Sequence, residues 1–196
     1  MRVRLKILAL FIVCLAGPGG CRAPQDATEA NRAPQVFVTI APQAFFVERL
    51  AGETAQVHVL VPPGASPATY EVAPREMERM GQAAAWLHIG VPVEKTLLPR
   101  IRANYPDLRI VDMAEGVTRR SMGAHDHAGG GHAHDGDSGK DPHVWLDPVR
   151  AKTLAANAAD TLTELAPDAA QHVRANLDAL RKELDAVRAE VKRILE

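Results

Sequence analysis

The sequence predicts an α/β fold, in which a four-stranded parallel sheet is flanked by helices and followed by a long amphipathic helix. Two observations predict it. Short runs rich in β-branched residues alternate with helical segments between residues 36 and 113, and apolar residues recur every three or four positions at the end of the chain. A net charge of −1 over 196 residues lacks the basic surplus typical of nucleic-acid binders, so no nucleic-acid partner is expected.

The first 21 residues are a predicted secretory signal. Basic residues precede the apolar run ILALFIVCLAG, which is too short to span a bilayer, and small residues then lead to Cys21. This layout resembles a bacterial lipoprotein signal, which implies that Cys21 is lipidated and anchors the protein to the membrane, in the periplasm or cell envelope. Pro18 departs from that pattern, and ordinary cleavage is the alternative. Residues 22–34 are polar and are expected to form a flexible tether.

Residues 35–166 are expected to form one lobe. The predicted strands are VFVTI (36–40), VHVLV (57–61), WLHIG (86–90) and RIVDM (109–113). Pro42 opens the first helix, because a first-turn residue needs no amide hydrogen bond. Met77 and Met80 share a face of the second helix as core residues. The third helix is expected to be interrupted at Pro99.

Three loops leave the carboxyl ends of the predicted strands, at residues 41–45, 62–74 and 114–147. Ligands of parallel α/β sheets bind at this edge. The third loop is long and glycine-rich, which is typical of functional or disordered segments. A ligand site is therefore expected where these loops meet.

Two helices complete the chain. Asp147 and Pro148 are expected to begin the first of them, as its cap and first-turn residue. Residues 167–196 form the second, a rod of about 45 Å beside a lobe of about 30 Å. Part of its apolar stripe should therefore lie uncovered, and either a coiled-coil dimer or a missing second lobe would explain it.

Residues 125–148 read HDHAGGGHAHDGDSGKDPHVWLDP, and they contain two kinds of histidine. Four histidines lie in a glycine-rich loop at residues 123–140, which suggests either metal capture or a solvated polar loop. They are His125, His127, His132 and His134. His143 differs, because it lies between a proline and an apolar patch, just before a capped helix. Imidazoles and carboxylates are ligands of Zn²⁺ and also of Mn²⁺.

The motif DPHVWLDP (141–148), the stretch PPGASPATYEVAP (62–74) and the order of strands and helices together resemble the zinc- or manganese-binding receptors of bacterial ABC importers. The resemblance covers essentially the whole mature chain. It implies that His143 is the family's second ligand histidine. It also implies that the protein captures zinc or manganese outside the cytoplasmic membrane and delivers it to an ABC transporter permease.

This sequence departs from the family in two ways. Ala68 stands where the family carries its first ligand histidine, and Ser66 replaces an aspartate. The family's other two ligands lie in a second lobe beyond a long backbone helix, which residues 167–196 resemble, so the second lobe is expected to be absent here. One of the usual four ligands then remains. Either the loop histidines supplement it, or another chain does, or the site is defunct.

An envelope metal buffer that binds zinc through the His-rich loop, without a transport role, is the alternative function. An enzyme is not expected, because the sequence lacks HExxH and GxSxG motifs and a glycine-rich phosphate loop. His58 and His88 fall in strands and are expected to pack rather than bind metal. His172 is expected to lie exposed on the last helix.

Overall fold

The computed structural model describes residues 33–121 and 140–196. In this part of the chain, four parallel strands form one sheet in the order β2-β1-β3-β4. The strands are β1 (Gln35–Val38), β2 (Gln56–Val59), β3 (Ala85–His88) and β4 (Arg109–Asp112). Phe37, on the central strand β1, lies opposite His58 on one side and Trp86 on the other. The predicted sheet is confirmed, and each strand begins at most one residue from its predicted start.

Five helices surround the sheet within the described ranges. They are α1 (Ala41–Ala51), α2 (Pro74–Gly81), α3 (Pro92–Asn104), α4 (Pro148–Leu165) and α5 (Ala170–Leu195). Each of the first four has a proline in its first turn, where the missing amide costs no hydrogen bond. Asp147 caps α4 as expected, since its Oδ1 accepts a hydrogen bond of 2.9 Å from the amide of Val149.

The expected interruption at Pro99 is wrong, because α3 continues through this residue. A proline inside a helix leaves the carbonyl four residues earlier without its hydrogen bond. Here that residue is Lys95, and both Lys95 and Pro99 are exposed. Water can hydrate the freed carbonyl, so the helix tolerates the proline on its solvent side.

The hydrophobic core lies on both faces of the sheet, where α1 packs with α4 and α5 and where α2 packs with α3. Trp86 is fully buried in β3, and its indole N–H donates to Thr39 Oγ1 at 3.1 Å. Met77 and Met80 are buried, which confirms their core role. Each large apolar side chain buried in this way contributes about 1.5–3 kcal/mol.

The long helix α5 has 26 residues and is about 39 Å long. Its first half is packed against the lobe, where Leu177 and Leu180 are buried. Its second half is not covered by the described residues: Val187 is 50%, Val191 45% and Ile194 64% exposed. The predicted uncovered stripe is therefore present. Neither α5 nor any other helix in the described ranges has the length and apolar character that crossing a membrane requires.

Candidate metal centre

A cleft of about 430 Å³ opens at the carboxyl ends of β1, β2 and β3. Four segments form its walls, namely residues 40–42, 61–68, 91–92 and 142–145. Most of the lining side chains are apolar, and six of them are prolines: Pro42, Pro62, Pro63, Pro67, Pro92 and Pro142. Among the described residues that line the cleft, His143 is the only one whose side chain is of a type that commonly binds metal ions. The predicted loops thus meet at the predicted edge of the sheet.

His143 is held at the rim of this cleft by its neighbours. The next residue, Val144, is 1% exposed and anchors a short 3₁₀ turn (Val144–Leu146) in the core. Leu146 donates its amide to the carbonyl of His143 at 3.3 Å. The imidazole itself is 57% exposed and lies beside Trp145, with ring centroids 5.1 Å apart. The backbone is therefore fixed while the ring stays accessible to a ligand.

Asp141 contacts His143 twice through one carboxylate oxygen. Asp141 Oδ1 accepts the backbone N–H of His143 at 2.9 Å, and the ring Nδ1 of His143 lies 2.7 Å from the same oxygen. The hydrogen bond from the backbone of His143, followed by that from its ring, lowers the pKa of Asp141. Because Nδ1 is engaged in this way, Nε2 is the nitrogen that remains for a metal ion.

Ala68 lies in the same cleft, where the resemblance implies a ligand histidine. It belongs to a tight turn in which the amide of Tyr70 donates to the carbonyl of Ser66 at 2.9 Å. Ser66 Oγ accepts the amide of Ala68 at 3.3 Å. Residues 33–121 and 140–196 bring no three His, Cys, Asp or Glu side chains together as a metal cluster. In this cleft the described residues place one oriented imidazole, that of His143.

The predicted signal, the lipidation residue Cys21 and most of the predicted tether lie outside the described residues, as do the loop histidines His125, His127, His132 and His134. The ends of the intervening segment are described. Ser121 and Lys140 pair in an antiparallel bridge, and the amide of Asp141 donates to the carbonyl of Arg120 at 2.8 Å. The ends of the two described ranges therefore lie next to each other, beside Asp141.

The other histidines of the described ranges lie away from the cleft. His58 stacks at 5.1 Å on Phe37, and His172 is exposed on α5, as expected. His88 is largely buried, with Nδ1 lying 3.9 Å from Glu94 Oε2 and 4.0 Å from Asp112 Oδ1. Burial is the main cause of the lowered pKa of both His58 and His88. Packing against neighbouring side chains therefore explains the positions of the His58 and His88 rings, as expected for strand residues.

Glu94 is a structural residue that the sequence analysis missed. Its carboxylate is 1% exposed and accepts hydrogen bonds from the backbone amides of Ile89, Gly90 and Val91. Burial raises the pKa of Glu94, while hydrogen bonds that include these three amides act against the rise. Glu94 thereby fixes the turn after β3, where Gly90 adopts a φ of 85°. A proline two residues before a glutamate was the available signal, since it marks a first helical turn with an acidic cap.

Gln43 is a second residue of this kind, and it joins two strand ends beneath the cleft. Its Oε1 accepts the amides of Thr39 at 2.9 Å and Ile40 at 3.1 Å, and its Nε2 donates to the carbonyl of Leu87 at 2.8 Å. The side chain is fully buried, so each of these bonds replaces one with water. The sequence carries no comparable signal for the contact with Leu87, which is 44 residues away.

Comparison with known proteins gives a consistent result. The profile of the family described as ZnuA, zinc-uptake complex component A periplasmic, matches residues 36–196. The zinc-binding lipoprotein AdcA of Streptococcus pneumoniae is 27% identical over 189 residues, which cover 93% of this chain and 35% of that protein. The manganese ABC transporter substrate-binding lipoprotein PsaA, also of Streptococcus pneumoniae, is 24% identical over 198 residues, covering 98% of this chain and 61% of that protein.

The fold is shared as well. A crystal structure of a ZnuA deletion mutant with zinc bound matches with a TM-score of 0.72 and 32% sequence identity, over 83% of this chain and 58% of that chain. The chain therefore spans between about a third and three fifths of the length of these relatives. The family profile, over residues 36–196, extends over the sheet, its helices and α5.

Proposed function

This chain belongs to the ZnuA family of periplasmic zinc-uptake components, and from this premise we propose that it captures Zn²⁺ or Mn²⁺ outside the cytoplasmic membrane for an ABC importer. The names of its relatives support both metals, since AdcA is described as zinc-binding and PsaA as a manganese transporter component. The same names favour a receptor over a metal buffer without a transport role. Family members are receptors, and we propose no enzymatic activity for this chain.

The observation that carries the proposal is the placement of His143 at the rim of the cleft. We assign Nε2 of this ring as a metal ligand, because Nδ1 is engaged by Asp141 and the ring is accessible. We assign the loop histidines as secondary donors that raise the local concentration of metal. They are His125, His127, His132 and His134. Lipidation at Cys21 and contact with a membrane permease complete the proposal.

Zinc titration of the purified protein in competition with a chelator tests the assignment. Four-ligand zinc sites bind with about 10–16 kcal/mol, or about 3 kcal/mol per ligand, so His143→Ala should weaken binding by about 100-fold. His172→Ala is the matched control, because it removes an exposed imidazole on α5 and should leave the affinity unchanged. Deletion of residues 123–140 should remove weak additional binding and retain the site at His143.

The opposite pattern would refute the proposal. If the deletion abolishes all zinc binding while His143→Ala binds zinc as tightly as the unsubstituted protein, the cleft is not the metal site and the buffer function is correct.

A further inference from the structure

The short motif that contains His143 also contains two aspartates with different surroundings. Asp141 and Asp147 are similarly accessible, at 36% and 35% exposure of their side chains. Asp147 Oδ1 accepts the amide of Val149, and its Oδ2 lies 3.6 Å from Arg150 Nε, so this carboxylate serves the start of α4. Asp141 instead directs one oxygen at both the backbone and the ring of His143.

We propose that Asp141 is a positioning residue that holds neutral His143 in the Nδ1–H tautomer, with the lone pair on Nε2 presented to the cleft. This inference rests on the proposed function for its consequence in metal binding, although the tautomer itself does not depend on metal. A neutral imidazole has one N–H donor and one acceptor nitrogen, and the partner of one nitrogen decides the state of the other.

The geometry permits one tautomer. A carboxylate oxygen only accepts hydrogen bonds, and Asp141 Oδ1 already accepts the backbone N–H of His143 at 2.9 Å. Two acceptors 2.7 Å apart would repel each other, so the ring nitrogen facing Asp141 Oδ1 must carry the proton. Nε2 is then unprotonated and can bind a cation without a change of tautomer.

The backbone bond makes the arrangement rigid. Because Asp141 Oδ1 also accepts the amide of His143, the oxygen is fixed relative to the Cα atom of the histidine it orients. The ring is confined on a further side by Trp145, at 5.1 Å between centroids. Asp141 thus limits both the tautomer and the rotation of the ring, which is how outer partners of metal-binding histidines act.

Long-range ¹H–¹⁵N correlation spectra at about pH 8, where histidines are neutral, read the tautomer directly in the absence of metal. The signals of His143 are identified as those missing from the spectrum of His143→Ala. The unsubstituted protein should show Nδ1–H. In Asp141→Ala the proton should move to Nε2 in a large part of the molecules, and in Asp141→Asn the amide oxygen should preserve Nδ1–H.

Zinc affinity gives the second measurement. Loss of an outer partner lowers metal affinity by about 10–100-fold, and the exposure of this pair places the expected loss for Asp141→Ala near tenfold. Asp141→Asn should restore most of that loss. Asp147→Asn is the matched control, since it removes the same charge from the same motif and keeps a good helix cap, and it should change neither measurement.

The outcomes separate the inference from the function on which it rests. An Nε2–H tautomer in the unsubstituted protein, or an unchanged tautomer in Asp141→Ala, overturns the role of Asp141 even if His143 binds zinc. If the unsubstituted protein shows the Nδ1–H tautomer but His143→Ala leaves zinc affinity unchanged, the proposed metal site is overturned, and with it the effect of Asp141 on zinc affinity. If Asp141→Asn and Asp147→Asn both lost affinity as strongly as Asp141→Ala, the effect would be one of charge alone, and the inference would be overturned.

Discussion

Replacement of Glu94 by alanine should be among the most destabilising single substitutions that the structure suggests. The substitution removes the acceptor of three backbone amides in the turn after β3. Ile89 is fully buried and Val91 is 2% exposed, so their amides would be left in the protein interior without partners. Gly90 is exposed, and water can replace the lost bond at its amide.

The magnitude follows from the two amides that water cannot reach. Each buried donor left unsatisfied costs about 1–3 kcal/mol, so Glu94→Ala should lower the free energy of unfolding by about 2–6 kcal/mol. A domain of this size has about 5–15 kcal/mol in total. Glu94→Gln retains one carbonyl oxygen in the same place and should lose about half as much, since charge-assisted bonds are roughly twice as strong as neutral ones.

Urea unfolding at neutral pH, followed by circular dichroism, measures these differences. Glu71→Ala is the control, because Glu71 is exposed in the loop before α2, and it should stay within about 0.5 kcal/mol of the unsubstituted protein. A loss below about 1 kcal/mol for Glu94→Ala, at an unchanged denaturant slope, would show that the turn does not depend on this carboxylate.

Three further predictions concern the cleft, the pH dependence and α5. Ala68→His should strengthen zinc binding by about 100-fold in chelator competition, because it adds a second imidazole to the cleft that contains His143, and unchanged affinity would contradict the shared site. Because burial lowers the pKa of His88, the contribution of this residue to stability should be fully present above its ordinary pKa of about 6.5 and should decrease as the pH falls towards the lowered pKa. Melting temperatures measured from pH 8 to pH 5 should therefore fall less for His88→Asn than for the unsubstituted protein. An equal fall in both proteins would be inconsistent with this cause. Leu180→Ala should cost about 2–5 kcal/mol in urea unfolding because the side chain is buried, whereas Val191→Ala on the exposed part of α5 should cost under about 0.5 kcal/mol, and similar costs would contradict the covered and uncovered division of the helix.

The sheet could be predicted because each strand combines β-branched and apolar residues in a run bounded by turn signals. Pro42 and Pro148 marked helix starts correctly, since both the ring geometry and the missing amide act locally. The predicted interruption of α3 at Pro99 was wrong because the cost of a proline inside a helix depends on whether the freed carbonyl can be hydrated by water. That exposure is a property of the folded chain rather than of the local sequence.

The candidate site was predictable in position but not in its supporting contacts. His143 and the cleft follow from the motif and from the parallel order of the strands. The contact between Gln43 and Leu87 joins residues that are 44 positions apart, and no local pattern encodes it. The role of Asp141 depends on a turn that directs its oxygen back to the second residue after it, which the sequence DPH permits without requiring. The ligand role of His143 and the metal binding of the loop histidines stay predictions.

The bridge between Ser121 and Lys140 has a consequence for the length of the connection that joins them. Since the two ends of the connection already lie side by side, insertions or deletions between them need not alter the positions of Asp141 and His143. The entropic cost of closing a connection grows only logarithmically, by about 0.6 kcal/mol for each doubling of its length. Changes in the length of this insert, or in its number of histidines, should therefore leave the imidazole of His143 in place.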